Sequence, residues 1–453
     1  SIELFADRLG SPFTPFFSLR SEDGKKTIAD SADNNDTLHP TQFLTRTEDP
    51  QRYRFTVPAD GTYLLRVGSR EGDLQAGPRH LYAVRVAPER PDFRLIVMPP
   101  APNLPDSCVL NAGASLYYTV FVWRQDGFTG EVALTAEGLP QGVTCPPQRL
   151  GDNQKQGALV LTAAADAPPW AGTITVKGTA TIDGKKVERE ARPASVTWPV
   201  PQQNVIAVAR LDRNLALSVR EKALYSLTAG LDHKDVTPGT KVTVPLKLAR
   251  LAKDFKAPVQ VTALNLPQPN NLIVFNNNNQ PLTVAAGKDE ANVTLDVRPN
   301  VPPGTYTIVF RGQAIVQVPR DKEGKQKVNA AVVQCSTPVT LTVLPKEVAK
   351  VALAPGNPTV KAGQEVELTV RVSRLNNYRG DFKVQLVLPK GVKGLAAGEA
   401  TIPAGKDEAK LVLKAEPGAS PGNRNGLLVR VTAMLNGKTP VTQEAKLNVN
   451  VTK

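Results

Sequence analysis

The string AGKDEA occurs twice in the chain, at 286–291 and at 404–409. A Gly-Lys pair followed by two carboxylates could belong to a phosphate-binding loop or to a catalytic acid pair. A phosphate-binding loop needs an upstream Gly and a Ser or Thr after the Lys, whereas Asp289 and Asp407 follow the Lys here. Neighbouring residues of a strand point to opposite faces, so the two carboxylates converge only if a turn redirects them. The pattern therefore favours a turn that does no chemistry.

Nucleophilic catalysis by Ser or Cys needs a base within hydrogen-bond reach. The chain has three histidines, His39, His80 and His233, and none lies in a GxSxG or HExxH frame. All three stand in polar, turn-like contexts, which favours solvated or structural roles. The sequence thus predicts a protein that is not an enzyme.

The acidic stretch DSADNNDT contains Asp30, Asp33 and Asp36. Calcium takes about six to eight oxygen ligands, and an acidic loop between strands supplies several. The spacing differs from that of an EF-hand loop, and Asp and Asn also build turns by bonding their own backbone. A calcium site at these aspartates and a plain acidic turn both stay open, and no other cofactor is expected.

Cysteine is used sparingly, at Cys108, Cys145 and Cys335. None lies in a CxxC motif, which argues against a zinc or thioredoxin-type site. Cys108 and Cys145 fall in one predicted domain, and we expect them to form a disulfide in an oxidising compartment. Cys335 is then left over and is expected to be buried as a small apolar residue.

Self-comparison shows one unit used three times. An alternating strand ends in Arg in each unit, at Arg124, Arg250 and Arg374. An aromatic loop, a strand ending in Leu-Pro, a polar turn and another strand then follow. The string AGKDEA forms this turn in the last two units, and the first unit has QKQG in the same place. We expect each Arg to snorkel over apolar surface or to bond loop carbonyls at the end of the sheet.

Each unit has about seven strands with turn signals roughly every ten residues, which is typical of a two-sheet sandwich. Asp-Gly at Gly184 and Asn-Gly at Gly437 predict tight hairpins, because both central residues of a type I′ turn need positive φ. The sequence therefore predicts an all-β chain, a tandem array of four β-sandwich domains. The predicted ranges are 1–98, 99–204, 205–345 and 346–453.

The first hundred residues differ from the repeated unit. They contain LGSPFTPFFSLRSEDGK, the acidic loop, and an F-x-x-P-x-D-G-x-Y-x-x-x-V element running from Phe55 to Val67. Residues 1–98 resemble a bacterial pre-peptidase C-terminal (PPC) domain, which implies a jelly-roll-like sandwich, here without its first strands. Some PPC-like domains bind calcium. The other units resemble the immunoglobulin-like modules that follow such domains in large secreted or surface proteins of planctomycete-type bacteria.

Charge and tryptophan point to possible partners. Residues 1–204 carry 21 basic and 23 acidic side chains, and residues 205–453 carry 34 and 19. The basic half favours contact with polyanions, although scattered Lys on solvent-facing strands also protects sheet edges. Trp123, Trp170 and Trp198 lie in the first repeat and could form a sugar platform. Trp123 is expected instead to fill the core or to pack beside the disulfide.

These observations favour a non-catalytic, extracellular, cell-surface or periplasmic protein that acts as a semi-rigid spacer or adhesive scaffold. Its partners would be other surface proteins or polysaccharide, with self-association also open. Nucleic-acid binding and membrane insertion are not expected, since basic residues and aromatics do not alternate and no run of about 18 apolar residues occurs. Two alternatives stay open. One is the accessory region of a secreted hydrolase whose catalytic domain lies upstream, and the other is a polysaccharide-binding module.

Overall fold

The structure is a computed structural model, and it describes residues 1–12, 14–31, 49–70, 77–101, 108–152, 154–198, 208–264, 266–267, 272–320 and 326–453. Within these ranges the regular elements are β-strands and one short 3-10 helix, so the predicted all-β class is confirmed. A search of the same residues found no helix long and apolar enough to cross a membrane. The chain forms two compact units, 1–234 with 239–342, and 235–238 with 343–453.

The first domain is a small sandwich. Its strands are β1 (Ile2–Phe5), β2 (Pro15–Ser21), β3 (Thr27–Ser31), β4 (Tyr63–Ser69) and β5 (Ala83–Val86), with the 3-10 helix at Asp7–Leu9. One sheet pairs β1 with β5, and the other has the order β3-β2-β4. Ile2 and Leu4 of β1 face Phe17 and Leu19 of β2 in the core between the sheets.

The first repeat follows with eleven strands. They are β6 (Asp92–Met98), β7 (Val109–Ala112), β8 (Ser115–Gln125), β9 (Val132–Glu137), β10 (Val143–Thr144), β11 (Gln148–Leu150), β12 (Gln156–Ala163), β13 (Trp170–Ile182), β14 (Lys185–Trp198), β15 (Val208–Leu211) and β16 (Leu215–Lys222). One face of the sandwich has the order β10-β12-β8-β6-β14, and β13 carries β9 and β16 on the other. The long hairpin of β13 and β14 joins the two faces.

The first repeat takes in residues that the sequence assigned to its neighbours. Asp92–Met98 pairs with β8 and with β14, although the predicted boundary fell at 98. Leu215–Lys222 pairs with β13 and with β7, although the predicted boundary fell at 204. In both segments the inward residues of the alternation are buried in the core of this repeat, which binds them to its sheets.

The second and third repeats have the expected two sheets. The second comprises β17 (Tyr225–Ala229), β18 (His233–Val236), β19 (Lys241–Arg250), β20 (Val259–Leu264), β21 (Ile273–Phe275), β22 (Leu282–Val284), β23 (Glu290–Val297), β24 (Gly304–Pro319), β25 (Lys327–Cys335) and β26 (Val339–Val343). Its sheets contain the orders β17-β19-β23-β21 and β26-β24-β20-β22, with β25 also paired to β24. Strand β19 alternates strictly, with Val242, Val244, Leu246 and Leu248 buried.

The third repeat makes up most of the second unit. Its strands are β27 (Ala349–Ala354), β28 (Thr359–Lys361), β29 (Glu365–Arg374), β30 (Phe382–Val387), β31 (Leu395–Ala397), β32 (Ala400–Ile402), β33 (Glu408–Ala415), β34 (Gly422–Leu435) and β35 (Thr439–Thr452). The sheets have the orders β27-β29-β33-β31 and β28-β35-β34-β30-β32. They enclose one apolar core, with Phe382 its largest fully buried side chain.

Both of the predicted tight turns are present. Asp183 and Gly184 connect the paired residues Ile182 and Lys185, and both have positive φ, 49° and 75°. Asn436 and Gly437 also have positive φ, 51° and 66°. These values match the conformation that selects Asp or Asn followed by Gly at such positions.

A buried carboxylate fixes the turn after β1. Asp49 is fully buried and accepts hydrogen bonds from the backbone N–H groups of Ala6 (2.6 Å) and Asp7 (2.8 Å). The Nε of Arg8 donates a third bond to it at 2.6 Å. Burial opposes the charged form, but the bonds from Arg8 and the backbone outweigh it and hold the pKa of Asp49 below its ordinary value.

This lowered pKa predicts an acid-dependent loosening of the first domain. The contribution of Asp49 is present above the unfolded-state pKa of about 3.9 and is lost as the pH falls through the folded pKa. In the D49N variant at pH 7, we expect the amides of residues 6–8 to exchange hydrogen at least about tenfold faster than in the wild type. Below the folded pKa of Asp49, wild type and variant should exchange alike, because both side chains are then neutral.

The measurement is hydrogen-exchange mass spectrometry of the full chain, comparing the proteins at the same pH. The control is E22Q, which changes an exposed carboxylate in the same domain and should leave exchange unaltered. Equal exchange of D49N and wild type at pH 7 would contradict the role assigned to Asp49.

Candidate functional site

One residue of the predicted calcium site, Asp30, lies among the described residues. Asp30 lies on β3, opposite Ser18, whereas Asp33, Asp36 and His39 lie outside the described residues. The calcium site at Asp30, Asp33 and Asp36 therefore stays a prediction. Across the part of the chain that the structure describes, no group of three His, Cys, Asp or Glu residues is arranged to hold a metal ion.

In each repeat, the arginine at the end of a strand donates hydrogen bonds to the backbone of two loops, and we call it the arginine clamp. In the first repeat, Arg124 donates from Nε to the carbonyl of Gly130 (2.9 Å) and from Nη1 and Nη2 to those of Gln154 and Gly151 (both 2.6 Å). Burial lowers the pKa of this guanidinium. The expected bonding of loop carbonyls is confirmed, and the five donors of Arg suit it because they form a rigid fork.

In the last two repeats the same clamp also reaches the string AGKDEA. Arg374 donates to the carbonyls of Gly380 (2.7 Å) and Lys406 (2.6 Å), and its Nε lies 3.0 Å from Oδ1 of Asp407. Arg250 bonds the carbonyls of Ala257 (2.9 Å) and Lys288 (2.9 Å), and its Nε lies 3.1 Å from Oδ1 of Asp289.

The string is therefore a turn whose backbone and first carboxylate receive the arginine. The turn closes through the N–H of Lys288 to Ala285 and of Lys406 to Pro403, with positive φ at Gly287 and Gly405. Sequence reasoning found the turn but missed the ion pair. The signal was present, because both an Arg and an Asp recur at matching places in the two repeats.

Each of these two clamps also rests on an aromatic ring. The guanidinium carbon of Arg250 lies 5.3 Å from the ring centroid of Phe255, and that of Arg374 lies 4.9 Å from the centroid of Phe382. Such cation–π contacts are stronger where water is excluded. The side chains of Arg250 and Arg374 are only 12% and 16% exposed, so the contacts are largely shielded from solvent.

The cysteines differ from the prediction. The structure holds Cys108 and Cys145 as separate thiols, and the expected disulfide is not formed in it. Gln148 donates from Nε2 to Sγ of Cys145 at 3.7 Å, which gives this thiol a noncovalent partner. Burial raises the pKa of Cys145 to about 11, so the thiol form is favoured. Cys335 is buried, as expected.

Two kinds of contact join neighbouring domains within the first unit. Between the first domain and the first repeat, Arg52 bonds Glu3 through Nη2 (2.7 Å) and Asp126 through Nη1 (2.9 Å). Burial opposes the charge on Arg52, but the bond to Asp126 and the charge of Glu3 outweigh it and raise the pKa of the guanidinium.

The second junction is apolar. Ala158 and Val160 on β12 of the first repeat pack with Val309 on β24 and Cys335 at the end of β25. Nearby, Gly151 approaches the second repeat so closely that an added Cβ would collide with the carbonyl oxygen of Thr305. The first and second repeats are therefore packed directly against each other.

Trp123 lies on the outer face of the first repeat instead of beside the cysteines. It is half-buried against the small cluster of Met98, Phe121, Ala194 and Val196. It lines a cleft of about 550 Å³ together with Arg94, Ile96, Gln125, Arg189, Glu190, Arg192, Leu211, Asp92 and Leu95. It also lines an adjacent cleft of about 290 Å³ that includes Arg52 and Asp126. Trp170 packs against the main core, and the side chain of Trp198 lies outside what the structure describes.

Two solved structures show distant similarity to the chain. No family model matches the chain, and no curated protein matches it. Domains 4 and 5 of the S-layer protein SbsC are similar at 16% identity over 35% of this chain and 69% of that one, with a TM-score of 0.18. The D00–D0 domain of intimin is similar at 15% identity over 51% of this chain and all of that one, with a TM-score of 0.23. The resemblance of residues 1–98 to PPC domains stays a prediction.

The arginine clamp predicts a large difference between two neighbouring arginines of β29. R374A leaves the loop carbonyls of Gly380 and Lys406 without their donor, and we expect it to lower the free energy of unfolding of the third repeat by about 2–3 kcal/mol. R371A removes an exposed pair with Glu408 (2.9 Å) and should cost less than about 1 kcal/mol. R374K keeps the charge but not the fork, so an intermediate loss is expected.

Urea unfolding of the full chain measures the free energy of unfolding of each variant. Hydrogen exchange in residues 376–381 and 403–407, measured separately on the folded variants, reports the order of the two loops. Equal destabilisation by R374A and R371A would show that Arg374 is an ordinary surface arginine.

The thiol assignment predicts three reactive cysteines in the denatured, unreduced protein. In the native protein Cys145 should alkylate slowly at pH 8, and its rate should rise about tenfold per pH unit towards its pKa of about 11, because the thiolate is the nucleophile. Iodoacetamide labelling with mass spectrometry locates each modified residue. Recovery of two of the three thiols only after reduction would restore the Cys108–Cys145 disulfide.

Proposed function

We propose that this chain is a non-catalytic structural protein of the cell surface or extracellular space, in which tandem β-sandwiches hold interaction surfaces at a fixed spacing. The observation that carries the proposal is the pair of packed junctions inside the first unit. A spacer must resist bending between its domains, and domains joined by flexible linkers alone move independently.

The ionic junction supports a fixed angle between the first domain and the first repeat. Glu3 and Asp126 are 10% and 5% exposed, so the bridge that Arg52 makes between them is shielded from solvent. Removing one partner of a buried ion pair leaves an uncompensated charge and is strongly destabilising. Bending at this junction would break the bridge and carries that penalty.

The apolar junction supports the same role between the first two repeats. Its side chains come from strands of both sandwiches, so moving the repeats apart would expose Val160, Val309 and Cys335, which are at most 1% exposed. Gln334 adds a polar contact by donating from Nε2 to Oδ1 of Asn111 at 3.3 Å. Hydrophobic burial and specific polar contact thus act together.

The third repeat carries paired charges on the outer face of one of its sheets. On β29 and β33, Lys414 bonds Glu365 (3.1 Å) and Lys410 bonds Glu367 (2.7 Å). The basic excess of residues 205–453 thus includes lysines that are already paired within the fold.

The rigidity is tested by electron–electron distance measurement between spin labels at K25C and K253C in a C145S background. Both positions are exposed, one in the first domain and one in the second repeat. We expect one narrow distance distribution in the otherwise wild-type chain and a clearly broader one in R52A, because R52A removes the bridge to Glu3 and Asp126.

The matched control is R66A, which alters an exposed arginine of the first domain and should keep the narrow distribution. A broad distribution without any further mutation would overturn the spacer role, since the three domains would then move freely.

A further inference from the structure

The outer face of the first repeat places an aromatic ring and two arginines on three adjacent strands. Trp123 on β8 is the direct cross-strand partner of Arg94 on β6, and Ile96, two residues further along, is the partner of Arg192 on β14. Residues two apart on a strand share a face, so all four side chains lie on one surface. From β8 to β14 this surface spans about 10 Å, the scale of a disaccharide.

The two arginines carry charges that the described part of the fold does not neutralise. Arg189 is bound to Asp92 at 3.0 Å. Arg94 and Arg192, by contrast, are both exposed and have no ion-pair partner among the described residues. A guanidinium without a partner beside a cleft is ready to take a carboxylate in a bidentate geometry.

The floor of the cleft is apolar. Trp123 and Ile96 are half-buried, and Leu211 is 48% exposed at its edge. A flat indole face next to aliphatic groups packs against the C–H face of a sugar ring, while the polar rim bonds its substituents. The cleft of about 550 Å³ is large enough for a short oligosaccharide.

The mixture of charges selects the kind of polyanion. Glu190 and Asp92 also line the cleft, and their carboxylates accept hydrogen bonds from hydroxyl groups. A phosphate chain without hydroxyl donors would meet these carboxylates with repulsion alone, because it has nothing to donate to them. A sugar chain that carries both carboxylates and many hydroxyl donors satisfies the arginines and the acids together.

We propose that the groove formed by Trp123, Arg94, Ile96, Arg192 and Leu211 binds a segment of acidic, carboxylate-bearing polysaccharide. The indole stacks on a sugar ring, Arg94 and Arg192 bind carboxylates, and Glu190 accepts from hydroxyls. The site goes beyond the spacer role and does not depend on it, because all its residues belong to the first repeat.

The test is isothermal titration of the full chain with galacturonate oligomers of four to six units, at about physiological salt. The wild type should bind, and R94Q and R192Q should each weaken binding by about tenfold, as loss of a charge-assisted hydrogen bond predicts. W123A should weaken it by roughly fivefold or more. The control R149Q changes an exposed arginine on β11 that pairs with Glu131, and should bind like the wild type.

Matched ligands separate this site from general charge attraction. Methyl-esterified oligomers of the same length keep the sugar rings but lose the charges, and they should bind at least about tenfold more weakly. A thermal unfolding curve like that of the wild type shows that a variant is folded. If W123A does not fold, the conservative variant W123F replaces it and should bind the oligomers with partial affinity.

Three results would overturn the proposal: no binding by the wild type at millimolar oligomer, equal loss in R149Q and R94Q, or equally tight binding of single-stranded DNA. The last result would assign the groove to nucleic acid. None of these results bears on the distance measurement that tests the spacer role.

Discussion

The loops at one end of each sandwich pose the same problem, because their backbone carbonyls turn away from the strand ladders and still need donors. One guanidinium at the end of a core strand supplies several of these donors at once. Arg124, Arg250 and Arg374 do this in the three repeats, from positions that the strand itself fixes. An unpaired buried carbonyl costs free energy comparable to a lost hydrogen bond, so the order of these loops depends on a single side chain.

The junctions inside the first unit extend this order from loops to domains. An ion bridge through Arg52 holds the first domain to the first repeat, and an apolar cluster around Val160 and Val309 holds the first repeat to the second. The two junctions use different physics. The ionic one fixes geometry through directional bonds, and the apolar one resists separation because opening it would expose hydrophobic area to water.

Much of the fold could be predicted because it is local. The alternation of apolar and polar residues in Lys241–Arg250 predicts which residues face inward, and an Asp-Gly or Asn-Gly pair predicts where a hairpin turns. The domain limits could not be predicted this way, since the pairing of β6 and β16 is decided by distant strands. The bond between Arg250 and Asp289 spans 39 residues, and the groove at Trp123 takes side chains from four strands. The alternation of apolar and polar residues predicts which face of a strand a residue lies on, but not which strands lie beside it.

The contact at Gly151 limits how such an array can change over evolutionary time. The carbonyl that the arginine clamp bonds at this place belongs to Ala285 in the second repeat and to Pro403 in the third, whereas in the first repeat it belongs to Gly151, which lies against the backbone of Thr305. The facing surfaces of the first two repeats therefore fit each other, and the repeats are not interchangeable. Duplicating, deleting or reordering a repeat at this border would bring a side chain against that carbonyl unless a glycine came with it. The two repeats that meet at this border should therefore be exchanged by recombination only together, while the surface residues of each repeat are free to diverge.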